Sequence, residues 1–344
     1  MKYPSCCHGG YFFYMKKTLT ILTIIALLPA MLFAAGAKEN PVDVISSLSQ
    51  PTEINVGALK GPTAMGMVSL MNEAENGAVN GNEYAFSLEG SPDAIVPRLV
   101  KGELDIAAVP ANLAAVLNMK TKGNIEVLAI NTLGVLYIAE NGDSVKSIED
   151  IAGKTIYASG KGATPEYALM YVLDAYGLTD KVNVEWKSQH AEVVAALMAD
   201  PDAVALIPQP FLTSAMLQNP SIHIVLDMNN LWYEKMGSVL ITGVVAARRD
   251  FVEENEDAIR QFLADYEKSI AFTNENLKEA SELVAKYGIL PKAPVAMKAI
   301  PYCQITYIDG DEMASALDNY YGVLFGENPK SVGGVLPEDS IYFK

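Results

Sequence analysis

Two short loops carry the residue types that could hold a small polar molecule, Lys60-Gly61-Pro62-Thr63 and Lys161-Gly162-Ala163-Thr164. Each follows an apolar, strand-like run and precedes apolar residues at helical spacing, so each reads as strand, tight loop and helix. Thr63 and Thr164 are expected to act as N-caps, which leaves helix amides and the positive end of the helix dipole facing whatever sits in front. Such a terminus favours an anion or a strong acceptor, and the two lysines would add to that preference. Catalytic chemistry is thin by contrast. His190 and His223 stand apart with no Ser/Asp or metal-ligand pattern around them, and are read as structural or exposed. No catalytic residue, metal site or cofactor is expected.

The elements that would position the loops come in two cycles. Ile54–Gly57 is a strand, Met67–Met71 helical, Tyr84–Leu88 a strand, and Ser91-Pro-Asp opens a helix through Lys101. The apolar strand Ile106–Val109 stops at Pro110, and Asn112 can cap the next helix. After Ile125–Ile130 a second cycle runs through Thr155–Ala158, the second loop, helix Glu166–Tyr176 and strand Val182–Trp186. It continues through helix Ala191–Ala199 to an apolar strand ending at Pro208, with Gln209-Pro210 opening a further helix. Gly61-Pro-Thr matches Gly162-Ala-Thr, and Asp105-Ile-Ala-Ala-Val-Pro110 matches Asp202-Ala-Val-Ala-Leu-Ile-Pro208. The spacings agree, 47 residues from 63 to 110 and 44 from 164 to 208. Two such units imply two α/β lobes that present loops at the carboxyl ends of parallel strands. A long apolar strand, Gly237–Ala247, runs back towards the first lobe and a helical section follows. Trp232 and Tyr233, beside this return, could stack on a ring.

Composition narrows the function classes. The chain has 344 residues and a net charge of −16; without residues 1–37, which hold three lysines and no acid, it is 22 − 41 = −19. So acidic a protein is repelled by nucleic acid, and no nucleic-acid partner is expected. Met15-Lys-Lys followed by 17 uncharged residues, Leu19 to Ala35, and Ala35-Gly-Ala37 reads as a secretory signal cleaved near Ala37. The run is shorter than the ~20 apolar residues of a spanning helix. Residues 1–14 lack signal character, so Met15 is expected as an alternative start to Met1. Cys6 and Cys7 fall in this leader and leave Cys303 alone, which rules out an internal disulfide or a Cys/His zinc pattern in the exported chain.

These features together resemble the type II periplasmic substrate-binding proteins of ABC importers, in the branch of alkanesulfonate, taurine, nitrate and thiamine-pyrimidine binders. The resemblance rests on Leu59-Lys-Gly-Pro-Thr-Ala, Gly102-Glu-Leu-Asp-Ile-Ala, Ile148-Glu-Asp-Ile-Ala-Gly-Lys-Thr-Ile and Gly160-Lys-Gly-Ala-Thr-Pro-Glu-Tyr. It implies an α/β, two-lobed fold with duplicated lobes and two crossover segments. The divisions would be leader and signal peptide 1–37, tether 38–52, lobe 1 at 53–133 with 243–344, and lobe 2 at 134–242. Carried over by position, the ligand would meet Lys60, Gly61, Pro62, Thr63, Asn112, Gly162, Ala163, Thr164 and Gln209, with Trp232 added from its place near the return. The implied function is capture of a small organic, anionic or acceptor-rich molecule in the periplasm by a monomer that delivers it to a membrane permease. The alternative from another class is an enzyme on the same fold, a dehydratase or one making pyrimidine or menaquinone precursors.

Overall fold

The computed structural model describes residues 50–200 and 203–344. The expected leader and signal peptide at 1–37, and most of the tether at 38–52, lie outside the described residues. The first run comprises β1 (Thr52–Leu59), α1 (Pro62–Met65), α2 (Val68–Ala74), β2 (Asn82–Glu89), α3 (Pro92–Lys101), β3 (Ile106–Pro110), α4 (Ala111–Lys120) and β4 (Ile125–Leu133). The second comprises β5 (Leu136–Glu140), β6 (Thr155–Ser159), α5 (Thr164–Ala175), β7 (Asn183–Lys187), α6 (His190–Ala199), β8 (Val204–Pro208), α7 (Phe211–Gln218), β9 (His223–Asp227) and α8 (Met228–Met236). The chain returns through β10 (Ile241–Arg248), α9 (Arg249–Glu254), α10 (Glu256–Glu275), α11 (Leu277–Lys286), α12 (Ala293–Ala299), β11 (Ile305–Ile308) and α13 (Gly310–Glu327).

Two sheets result, β11-β4-β10-β3-β1-β2 and β7-β6-β8-β5-β9, and the architecture is two-lobed α/β. β10 inserts antiparallel between β3 and β4, so the return strand joins the first sheet. Its uninterrupted apolar sequence has a physical cause: Val244 and Ala246 face one core, Val245 and Ala247 another, and neither face meets water. The first of these cores continues into the second lobe through Leu136, Ile138, Val204 and Leu206.

α13 lies across this continuous core. Its Tyr320 hydroxyl is 3.3 Å from Thr164 Oγ1 at the start of α5, and its Tyr321 hydroxyl donates to Ala111 O of α4 at 3.0 Å. One helix of the return section therefore holds both lobes. Elements not anticipated from sequence include α8, α12 and the edge strand β11. The signal for α8 was present, since Met228, Leu231 and Trp232 recur at helical spacing, Asp227 caps Asn229 N at 2.8 Å and Gly237 closes the C-terminus. Beyond α13 the chain forms two 3-10 turns, Pro329–Val332 and Asp339–Ile341.

The Gly102-Glu-Leu-Asp phrase has a structural job. Asp105, 5% exposed, accepts from Asn55 N at 2.8 Å, Asn55 Nδ2 at 3.0 Å and Arg248 Nη2 at 2.9 Å. Its carboxylate thereby ties β1 to the far end of β10. Asp105→Ala would strip the Asn55 donors of their acceptor and leave Arg248 with only its exposed partner Asp250, so it should cost about 1–3 kcal/mol in chemical denaturation. A loss below about 1 kcal/mol would show the network to be dispensable.

Candidate functional site

The two crossovers run side by side. Thr242 Oγ1 donates to Leu133 O at 2.5 Å, and Asn229 at the start of α8 closes both groups of Gly134, its Nδ2 donating to Gly134 O at 2.6 Å and its Oδ1 accepting from Gly134 N at 3.0 Å. Above them opens a cavity of about 370 Å³ with walls from both lobes. The first lobe contributes Pro92 at the start of α3, and Pro110, Asn112 and Leu113 at the start of α4. The second contributes Ala163, Thr164 and Pro165 at the start of α5, His190 at the start of α6, and Pro208 at the end of β8. Val135, Leu136 and Thr242 form the part nearest the crossovers. A larger groove of about 660 Å³ between α4 and residues 335–340 draws on the first lobe and the return section only, so it cannot sense the relation between the lobes.

Four helices of ten or more residues thus place their first turns on one space. The positive ends of their dipoles point at the site, and Asp93, Glu166 and Glu192 in the first turns of α3, α5 and α6 offset part of that potential. The lining contains no lysine, arginine, carboxylate or thiol, and so has no set of donors for a metal ion. Its polar groups are Asn112, Thr164, Thr242 and His190. Ser159 Oγ lies 2.6 Å from His190 Nδ1 at the end of β6, and the Phe211 ring packs on the imidazole with centroids 4.6 Å apart. This Ser–His pair can pass a proton to or from a bound molecule.

The structure sorts the sequence-derived residues. Asn112, Ala163 and Thr164 line the cavity. Lys60, Gly61, Pro62 and Thr63 do not: Pro62 and Thr63 open a four-residue helix whose N-cap is Gly61 at φ 128°, not Thr63. The Thr63 hydroxyl is spent on Leu59 O at 3.0 Å. Likewise Ala163 is the N-cap of α5 and Pro110 that of α4, so neither Thr164 nor Asn112 caps; the Asn112 amide donates to Ser331 O at 3.3 Å. Lys60 and Lys161 are exposed and neither lines the cavity. Gly162 is exposed at the loop's outer side, its amide donating to Glu166 Oε2 at 2.6 Å. Gln209 is buried behind Pro208, its Oε1 accepting from Thr213 and its Nε2 without a partner among the described residues. Trp232 does not line the cavity: it is wholly buried, with Tyr171 at 4.6 Å and Tyr320 at 6.1 Å between ring centroids, and it packs α8 against α5 and α13. Sequence reading missed Pro92, Leu113, Leu136, Thr242 and, above all, His190. A signal existed: Ser91-Pro92 and Gln189-His190 follow the second strand of each cycle, so extending the repeat one element further would have paired them.

Solved structures show the same architecture. An ABC transporter protein from Parabacteroides distasonis superposes with a TM-score of 0.72 at 23% identity, covering 85% of this chain and 99% of that one. The periplasmic aliphatic sulphonate binding protein SsuA from Escherichia coli gives 0.67 at 20%, with 86% and 92% covered. The periplasmic nitrate-binding protein NrtA from Synechocystis PCC 6803 gives 0.52 at 14%, with 77% and 75% covered. The fold is therefore that of the two-lobed periplasmic binding proteins. By sequence, residues 54–325 match the family described as menaquinone biosynthesis, VitK2_biosynth, and the chain belongs to that family. No curated protein matches the sequence.

Burial holds the His190 imidazole below its ordinary pKa. The unfolded chain therefore binds this proton more readily, so the stability contributed by neutral His190 is complete above the unfolded value of about 6.5 and is lost as pH falls through the folded value. In calorimetric scans stepped downward from about pH 8, His190→Gln should lose less Tm than wild type below about pH 6.5. Parallel curves would show that the imidazole is not desolvated.

Proposed function

We propose that this chain is an extracytoplasmic solute-binding protein that captures a small organic molecule between its lobes and delivers it to an ABC permease. The observation that carries the reading is the single cavity walled by helix N-termini from both lobes, with the paired crossovers beside it. A volume of about 370 Å³ suits a small molecule, and four prolines, two leucines, Val135 and Ala163 suit an apolar or ring-bearing body. Convergent helix termini favour an acceptor-rich or anionic end, as in an organosulfonate or a thiamine-pyrimidine-type compound. With the lysines outside the lining, that preference rests on backbone amides and on Asn112, Thr164, Thr242 and His190 alone. Export through the leader expected at residues 1–37 would place the protein in the periplasm, where it would act as a monomer. With lobe boundaries at 133/134 and 242/243, closure would bend the chain at Gly134 and beyond Leu240.

Native mass spectrometry of the purified protein should reveal one co-purifying small molecule, and solution scattering should show compaction when it is returned to emptied protein. At a hundredfold excess over Kd, a ligand bound only to the folded state stabilises by about 2.7 kcal/mol, which a thermal-shift panel of sulfonates and pyrimidines would register. Leu113→Asp should abolish that shift, because it sets a carboxylate at the helix terminus that the ligand's anionic end would otherwise occupy. Unchanged scattering at saturating ligand would overturn the closing-cleft reading.

A second reading, an enzyme in menaquinone-precursor chemistry, has specific support in the family match over residues 54–325 and in the Ser159–His190 pair. The two readings differ in what leaves the cleft. A binding protein releases its molecule unaltered, whereas an enzyme would return a changed mass after incubation, and His190→Gln would stop the change while leaving binding measurable.

A further inference from the structure

We propose that Glu140, Asp143 and His223 form a binding site for a divalent cation of the zinc class at the outer end of the second sheet. The site is independent of solute capture. Glu140 ends β5, four residues beyond the cavity-lining Leu136, which at about 3.3 Å per residue puts it roughly 13 Å along the strand from the cleft. The side chains come from distant parts of the chain, and sheet register brings them together: Glu140 and His223 are cross-strand partners in the β5–β9 ladder, and Asp143 follows in the turn after β5. One ligating atom from each lies within 4.8 Å of the others.

Geometry outside the trio points to a cation between them. His223 Nδ1 lies 3.1 Å from Ser221 O, a carbonyl that can only accept, so Nδ1 carries the hydrogen. In the neutral ring Nε2 is then a bare lone pair, and it lies 3.7 Å from Glu140 Oε1. A proton on Nε2 would make this contact an ion pair, and a divalent cation can take that proton's place; a backbone carbonyl on the remote nitrogen is the usual partner of a metal-binding imidazole. The gap fits: Zn–N and Zn–O bonds of about 2.1 Å span 3.7 Å when they meet at an angle of roughly 120°. Glu140 is 1% exposed and fixed by Ser144 N at 3.0 Å, Ser144 Oγ at 2.8 Å and Val145 N at 3.2 Å. Burial by itself would raise its pKa, but these hydrogen bonds prevail and hold the carboxyl below the ordinary range, so it stays ionised. Asp143 is exposed and shares the Lys146 ammonium, which a cation would displace. Lys154 is close by, donating to Ser144 Oγ at 2.9 Å. Three ligands of this kind leave a fourth position for water.

The test is zinc titration of the untagged protein by calorimetry, with ring proton signals of His223 followed by NMR. One equivalent should bind with displacement of the His223 signals. His223→Ala and Asp143→Asn should each weaken that equivalent at least about tenfold. Lys146→Met, which removes the competing ammonium, should strengthen it. Circular dichroism without zinc must show each variant folded; Asp143→Asn, on an exposed turn, keeps the test valid if His223→Ala does not fold. Zinc binding of equal strength in wild type and Asp143→Asn, or unmoved His223 signals at millimolar zinc, would overturn the site.

Discussion

The structure turns on the hydrogen bonds that hold the two crossovers together. Asn229 satisfies both backbone groups of Gly134, and Thr242 reaches Leu133 O, so the strands leaving and re-entering the first sheet are joined side by side as one ribbon. Backbone polar groups at a strand exit must find partners, and here a side chain at the start of α8 supplies them. Because β10 also lies between β3 and β4, the ribbon is anchored in the centre of the first sheet and not at its edge. That anchorage sets the distance at which helix termini of the two lobes face one another.

Given that frame, the cavity gets its polarity from architecture and its apolarity from composition. Prolines stand at or next to the first helical positions of α3, α4 and α5, where a missing N–H costs nothing and the ring offers an apolar wall. Each terminus therefore supplies dipole and amides while its side chains exclude water. His190 fits the same logic. Kept neutral by burial and oriented by Ser159, it adds a hydrogen-bonding group without adding charge. Such a site can select a molecule by shape and by one polar end, and the same features serve either capture or proton transfer.

The core accounts for Trp232, which its sequence position offers as a ring for stacking on a ligand. Trp232, Tyr320 and Tyr321 are all buried where α13 spans α4, α5 and α8, and their area stabilises the join between lobes. Phe211 differs, being 43% exposed beside His190 at the cleft. The phrases that carry the family resemblance are likewise mostly structural. Asp105 is consumed by Asn55 and Arg248, and Ser147 with Asp150 forms a capping box before β6.

Sequence alone determined what depends on local pattern: the apolar strands ending at Pro110 and Pro208, most of the helices, the repeat, and hence two α/β lobes joined by two crossovers. These follow from periodicity and turn chemistry, which act over a few residues. Through the family resemblance it also pointed to Asn112, Ala163 and Thr164, which line the cavity, although the capping expected of the Asn112 and Thr164 side chains is not what places them there. Tertiary structure decided the rest. Matching loops Gly61-Pro-Thr and Gly162-Ala-Thr have unequal fates because α1 breaks after four residues whereas α5 continues for twelve, and the packing of α10 and β11 against Gly66 has no counterpart in the second lobe. Trp232 faces inward because α13, encoded nearly a hundred residues later, covers it. His190 meets Ser159, and His223 meets Glu140, only once strands distant in sequence are paired, because side-chain chemistry across a sheet is set by register and no local pattern encodes register between strands so far apart.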